Sequence, residues 1–137
     1  MNSAIELRDD KDLSRDKVLA LYLANSWSSA DKPDALMNHL HKSHSVVSAW
    51  AADKLVGLGN VMSDGQLVAY YSHLLVMPDR QGQGIGTLIA KRLTDRYRGF
   101  HQQVLLADGR SVEFYRRLGF EPAGSTRSMW IFQGDEH

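Results

Sequence analysis

Leu74-Leu75-Val76-Met77-Pro78-Asp79-Arg80-Gln81-Gly82-Gln83-Gly84-Ile85-Gly86-Thr87-Leu88 joins an apolar run to a helical pattern through a glycine-dense turn. Four apolar residues end at a proline, three glycines follow within five positions, and helical spacing begins at Ile85, Leu88 and Ile89. A strand, a tight turn and a helix in that order leave backbone N–H groups unpaired at a helix N-terminus, a setting that suits phosphate. Two common phosphate loops do not fit. A P-loop needs Gly-x-x-x-x-Gly-Lys-Ser/Thr, and counting from Gly82 or Gly84 puts Thr87 or Ile89 at the second glycine. The dinucleotide fingerprint Gly-x-Gly-x-x-Gly meets the same two residues at its third glycine.

The pattern that fits is Gln/Arg-x-x-Gly-x-Gly, here Gln81, Gly84 and Gly86. A second segment, Phe114-Tyr115-Arg116-Arg117-Leu118-Gly119-Phe120-Glu121-Pro122, starts 28 residues after Gly86. Val112, Tyr115 and Leu118 mark a short helix face there, and Gly119 a helix stop. In order and spacing the two segments resemble the pyrophosphate loop and the Phe-Tyr-x-x-x-Gly-Phe segment of the GCN5-related N-acetyltransferases (GNAT). The resemblance covers residues 45–132. Leu55-Val56-Gly57 and Leu105-Leu106-Ala107-Asp108 look most similar to small bacterial-type members grouped with the arylalkylamine and serotonin acetyltransferases.

Composition limits the alternatives. The chain of 137 residues is sized for one domain, 1–137, and an apolar content of 43% is enough for a packed core. Charges balance to zero and are interspersed, which argues against a nucleic-acid partner. With no cysteine there is no disulfide, thiolate metal site or cysteine nucleophile. No apolar run reaches membrane-span length, and residues 1–6 lack the basic and apolar parts of a signal peptide, so a cytoplasmic location is expected. His39, His41 and His44 lack carboxylates at ligand spacing; they read as a solvated helix end, and no metal is expected.

Periodicity predicts a strand over 4–8, a helix to about Ala24, a loop over 25–29 and a helix from Pro33 with Leu36, Met37 and Leu40 inward. Strands over 46–51, 55–62 and 66–77 lead into the glycine turn. A helix on Ile85, Leu88, Ile89, Leu93 and Tyr97, a strand over 103–107, the Tyr115 helix and strand material over 120–132 complete the chain. The order β-α-α-β-β-β-α-β-α-β matches the arrangement of the GNAT family, an α/β fold with a mixed, largely antiparallel sheet flanked by helices.

The resemblance implies an acetyl-CoA-dependent transfer of an acetyl group to a primary amine. Backbone N–H groups of Gln81, Gly82, Gln83, Gly84, Ile85, Gly86 and Thr87 would wrap the pyrophosphate. The main chain of Leu75, Val76 and Met77 would bond the pantetheine arm and polarise the thioester carbonyl. Tyr115 stands where relatives carry a general acid, and a phenol of ordinary pKa near 10 is protonated and able to serve the departing thiolate. Asp108 stands where many relatives bond the pantetheine arm through asparagine, or else it caps the Tyr115 helix. For the general base, the long strand offers Tyr70, Tyr71, Ser72 and His73. Period two would put Tyr71 with His73 and Tyr70 with Ser72. His73 has the fitting intrinsic pKa, whereas relatives place a base nearer Tyr70 and Ser72; no carboxylate stands here, and a water relay is the alternative. Tyr22, Trp27 and Trp50 suit an aromatic pocket for a small amine, with Ser72 beside it. A protein N-terminus or lysine as acceptor, and a non-catalytic acyl-CoA sensor, are the competing functions. The family also implies a homodimer, with aromatic residues near Trp130 as a candidate contact.

Overall fold

The computed structural model describes residues 4–135. Five strands form one sheet in sequence order: β1 (Ile5–Arg8), β2 (Ser45–Ala51), β3 (Lys54–Ser63), β4 (Val68–Val76) and β5 (Gln102–Leu105). The first four pair antiparallel, and only β4 and β5 run parallel. Short turns explain the antiparallel part. Ala52 takes a positive φ of 54° between β2 and β3. Between β3 and β4, Asp64 Oδ1 accepts the N–H groups of Gln66 and Leu67, each at 2.9 Å, and Gly65 sits at φ 75°. β4 and β5 are parallel because helix α3 (Ile85–Arg96) crosses between them.

Helices α1 (Arg15–Ala24) and α2 (Pro33–His41) precede the sheet's centre, and α4 (Val112–Arg117) follows β5. Ser14 caps α1 by accepting from the N–H of Lys17, and Pro33 opens α2 with its fixed φ. Every residue of β2 and most of β3 are buried, because helices cover both faces of these strands. Gly57 and Gly59 face α3: a Cβ on Gly59 would stand 2.8 Å from Ile89 Cγ2, so glycine lets the helix seat against the sheet. Asn60, one pleat step further, faces α2 instead. The core joins Val18, Leu21, Leu40, Val46, Val47 and Leu58 to Ile85, Ile89 and Leu93 of α3.

Most sequence expectations stand with shifts of one or two residues, and the loop over 25–29 runs into a 3₁₀ turn at Ser28–Asp31. The strand expected over 120–132 does not form among the described residues. Pro122 cannot donate to a ladder and Gly124 bends the chain at φ 65°. Met129, Trp130, Ile131 and Phe132 are consecutive apolar residues without alternation, so no single face could be buried, and all four are exposed. Trp130 and Phe132 stack on each other, ring centres 4.4 Å apart.

Candidate active site

The site is arranged along β4, which ends in the glycine turn. β5 pairs with β4 only from Val68 to Tyr71, and β5 ends at Leu105. Beyond Tyr71, β4 runs on to Val76 without β5 beside it, so residues 72–76 form an open edge. On the other side β4 stays paired to β3, and the N–H of Met77 continues that contact to the carbonyl of Val56 at 2.8 Å. The side chains of Leu75 and Met77 are buried; the open edge is a main-chain feature.

The turn itself rests on two glycines in the left-handed region, Gly82 at φ 81° and Gly84 at φ 85°. A Cβ on either would meet nothing within 4 Å, so it is the dihedral that requires glycine. Gly84 is the N-cap of α3 and no side chain caps it, which leaves the N–H groups of the first turn, through Ile85, Gly86 and Thr87, directed out of the helix end. Gly86 lies outside the left-handed region, and a Cβ there would make ordinary contact with the Phe114 ring of α4 at 3.4 Å, so glycine is not required at this position. Gln81 anchors the turn with its side chain. Its Nε2 donates to the carbonyl of Val76 at 3.1 Å and to Asn25 Oδ1 at 3.4 Å. Asn25, at the end of α1, donates to the same Val76 carbonyl at 3.1 Å and to Leu21 at 3.0 Å. Sequence reasoning placed Asn25 only in a loop, and helix-end position is the one signal it offers.

Tyr115 lies on α4 beside Phe114 and Phe120, with ring centres 5.1 and 5.9 Å away. Phe120 in turn meets Tyr71 of β4 at 5.5 Å, which ties the helix to the strand. Burial, with a smaller contribution from the nearby Asp108 carboxylate, pushes the Tyr115 hydroxyl up to about 12. Asp108 fixes the turn ahead of α4: its Oδ1 accepts the N–H groups of Arg110 at 2.9 Å and Ser111 at 3.2 Å, while the N-cap itself, Ser111, has no side-chain cap.

The opposite side of β4 departs from the sequence expectation. Asn60 pairs with His73 while Val61 pairs with Tyr71, so Ser72 is an extra residue, a β-bulge. Strict alternation is broken there, and Tyr71 and His73 do not share a face. Tyr71 turns toward Tyr97 and donates to Gln103 Oε1 at 2.5 Å. Ser72 and His73 both turn toward α1 and α2. Buried Asn60 stitches the bulge, its Oδ1 accepting the N–H of His73 and the hydroxyl of Ser72, each at 2.9 Å. Tyr70 pairs with Met62 and Val104, and burial raises its pKa, so its phenol is neutral.

His39 is the residue the sequence reading missed. It does not belong to a solvated helix end: its Nε2 lies 2.8 Å from Ser72 Oγ and 3.0 Å from Asn60 Nδ2, and burial lowers its pKa. Its spacing of three from Leu36, on the inward face, was the available signal. His44 is likewise engaged, through Tyr97 at 2.8 Å. Tyr22 is fully buried, so it does not line a pocket open to solvent as the sequence reading expected; its hydroxyl meets His73 Nδ1 at 2.8 Å. Trp27 meets both Tyr22 and His73 edge-on, at 5.7 and 5.3 Å. Trp50 is elsewhere, buried on β2 with Arg8 over its ring at 4.4 Å, because that strand end is covered by β1.

The family description "Acetyltransferase (GNAT) domain" matches residues 9–130. The chain belongs to the GNAT family. Its fold agrees with that of a GNAT-family acetyltransferase from Streptococcus pneumoniae, with a TM-score of 0.83 at 28% identity over 95% of this chain and 99% of the other. The aminoglycoside N-acetyltransferase AAC(6')-Iy, solved in complex with CoA, shares the GNAT fold at a TM-score of 0.70 and 13% identity, covering 97% of each chain. A histone acetyltransferase of Glycine max is 34% identical over 116 residues, 82% of this chain and 48% of the relative. The chain thus spans about half that relative's length. No helix among the described residues is long and apolar enough to cross a membrane.

Proposed function

We propose that this protein is an acetyl-CoA-dependent N-acetyltransferase acting on the primary amine of a small molecule. The observation that carries the reading is the open edge of β4 leading into the uncapped N-terminus of α3. An extended arm needs exposed main-chain partners, and a pyrophosphate needs converging N–H groups; β4 and the turn offer both within one continuous segment. The open space around Gly82 and Gly84 leaves room for phosphates. In this reading the N–H groups from Gln81 to Thr87, Gln83 included, hold the pyrophosphate, and the main chain of Leu75, Val76 and Met77 holds the arm through groups other than the Met77 N–H and the Val76 carbonyl, which already have partners. Asp108 supports the site through the turn before α4.

Acetyl-CoA supplies the activated acetyl group as a thioester. The reaction forms one N–C bond and breaks one C–S bond, and the sulfur needs a proton. Tyr115, neutral throughout the physiological range, holds that proton at its hydroxyl. Tyr70, Ser72, His73 and Trp27 surround the acceptor amine's approach. The surroundings are aromatic and imidazole-rich, which fits an aryl or alkyl amine, as in the arylalkylamine group that the sequence resembles. The setting is an aqueous compartment supplied with acetyl-CoA, the cytoplasm.

A protein amine as acceptor is the second reading, favoured by the similarity to the Glycine max histone acetyltransferase. Thiol release from acetyl-CoA, followed across aryl amines, alkyl amines, polyamines and short peptides, tests both. Release with a small amine supports the first reading. Release only with peptides replaces it with the second. Binding of acetyl-CoA with release on no acceptor replaces both with a sensor.

A further inference from the structure

Asn60 sets the hydrogens around His39. Its Oδ1 accepts a backbone N–H from His73 and is therefore the oxygen end of the amide. Its Nδ2 then donates to Ser43 Oγ and to His39 Nε2, both at 3.0 Å. An N–H aimed at Nε2 keeps that nitrogen an acceptor, with the ring hydrogen on Nδ1. Ser72 Oγ lies 2.8 Å from the same nitrogen, and its single hydrogen, resting on Asn60 Oδ1 at 2.9 Å, turns to Nε2 by rotation about the Cβ–Oγ bond.

His73 is the opposite case. The Tyr22 hydroxyl is fully buried against His73 Nδ1 at 2.8 Å. A buried phenol donates its single proton, since leaving it unpaired costs about 1–3 kcal/mol. Nδ1 of His73 accordingly accepts, and its Nε2 carries the ring hydrogen. In this form His73 is a donor.

We propose that the proton of the acceptor amine passes to His39 through the hydroxyl of Ser72, with His73 as a hydrogen-bond donor beside them. This rests on the acetyltransferase reading and names its proton acceptor. An amine N–H bond breaks as its proton moves to Ser72 Oγ. The original Ser72 O–H, turned from Asn60 Oδ1 to His39 Nε2, breaks as that hydrogen moves to Nε2. The freed electron pair on nitrogen forms the bond to the acetyl carbon, and His39, now an imidazolium, returns the proton to water. Ser72 is the first β4 residue beyond the pairing with β5, so its hydroxyl stands where the open edge begins. In the imidazolium form Nε2–H donates to Ser72 and the Asn60 N–H loses its acceptor, which favours release of the proton after each turnover. The titratable groups facing His39 are His73 of β4, ring centres 5.1 Å apart, and behind it Tyr22 of α1; β3 presents the uncharged Asn60. His39 acts through Ser72 and touches no substrate itself.

His39→Gln tests the relay, because a glutamine oxygen can accept from Asn60 and Ser72 but takes no proton near neutral pH. With acetyl-CoA and an accepted amine, kcat/KM should fall about 100-fold, and the acid limb of the pH profile should disappear, with acetyl-CoA affinity unchanged. Ser72→Ala should cost the same, and the double variant no more than either alone, as for residues acting as one unit. His73→Gln should keep the acid limb. Nitrogen-15 NMR at neutral pH gives a reading independent of turnover: Nε2 bare in His39 and protonated in His73. The inference is overturned by a His39→Gln variant with wild-type rate and acid limb, by loss of that limb in His73→Gln instead, or by the reverse tautomers. A wild-type protein that acetylates no amine overturns the activity reading as well; a fast His39→Gln variant overturns this inference alone.

Discussion

The two sides of β4 are built on opposite plans. On the glycine-turn side the proposed binding groups are main-chain N–H and C=O, and the main chain is held by the left-handed dihedrals of Gly82 and Gly84 and by the Gln81 and Asn25 side chains on the Val76 carbonyl. On the α1–α2 side the working groups are side chains gathered from α1, α2, β3 and β4, up to 51 residues apart in sequence. A backbone site should tolerate side-chain changes that preserve dihedrals. A side-chain site should fail with the loss of one hydrogen-bonding atom.

Tyr115→Phe gives the largest expected effect. Loss of a positioned acid should lower kcat roughly 10²- to 10⁴-fold, while acetyl-CoA affinity, carried by the main chain, stays near wild type. Since the Tyr115 hydroxyl is pushed up to about 12, it remains protonated as pH rises from 7 to 10, and the rate should show no alkaline fall from this group. Unchanged turnover in the variant would remove Tyr115 from the mechanism.

Gly84→Val breaks the backbone plan. A β-branched residue at φ 85° is strained, at about 1–2 kcal/mol or more, and relief of that strain moves the turn. Acetyl-CoA affinity measured by equilibrium binding should fall at least tenfold. A variant that binds normally would mean the turn's dihedrals do not set the site. Asn60→Leu breaks the side-chain plan by leaving the bulge without its stitch. Loss of partners for buried groups predicts about 1–3 kcal/mol of lost stability in urea unfolding, together with a changed pH profile.

A smaller effect separates His39 from ordinary surface histidines. Its folded pKa lies below the unfolded value, so in acid the unfolded chain binds the proton first. Stability should therefore fall as pH drops from the ordinary histidine range toward the lower folded value, and His39→Gln should flatten that dependence. Smallest of all is Trp130→Ser on the exposed C-terminal stretch. Because Trp130 is mostly exposed and stacks on the likewise exposed Phe132, the substitution should change stability by no more than about 0.5 kcal/mol; a larger loss would mean that this stretch packs, for example in the homodimer expected from the family.

The same contrast explains what was legible in the sequence. Contiguous features read well: the glycine turn, the hairpin turns, the Gly119 stop at φ 101°, and the helices on either side of β2 and β3. Features made by pairing between distant segments did not. A bulge changes which face every later residue takes, and period-two reading through Ser72 put His73 with Tyr71. Asn60, a polar residue in an otherwise apolar strand, was the visible hint of it. The stretch over 120–132 has strand-like composition, yet pairing is a tertiary property, and neither its apolar run nor Pro122 offers a ladder. Tyr22 and Trp50 are aromatic residues in the right composition for a pocket, but burial, which composition does not give, removes them from it.

Calorimetric titration of the protein with acetyl-CoA asks whether the open β4 edge and the glycine turn bind the cofactor at all. One site per chain, with affinity reduced in Gly84→Val and retained in Tyr115→Phe, is the predicted result. No heat of binding to the wild-type protein would contradict it, and with it the assignment of this turn to a pyrophosphate.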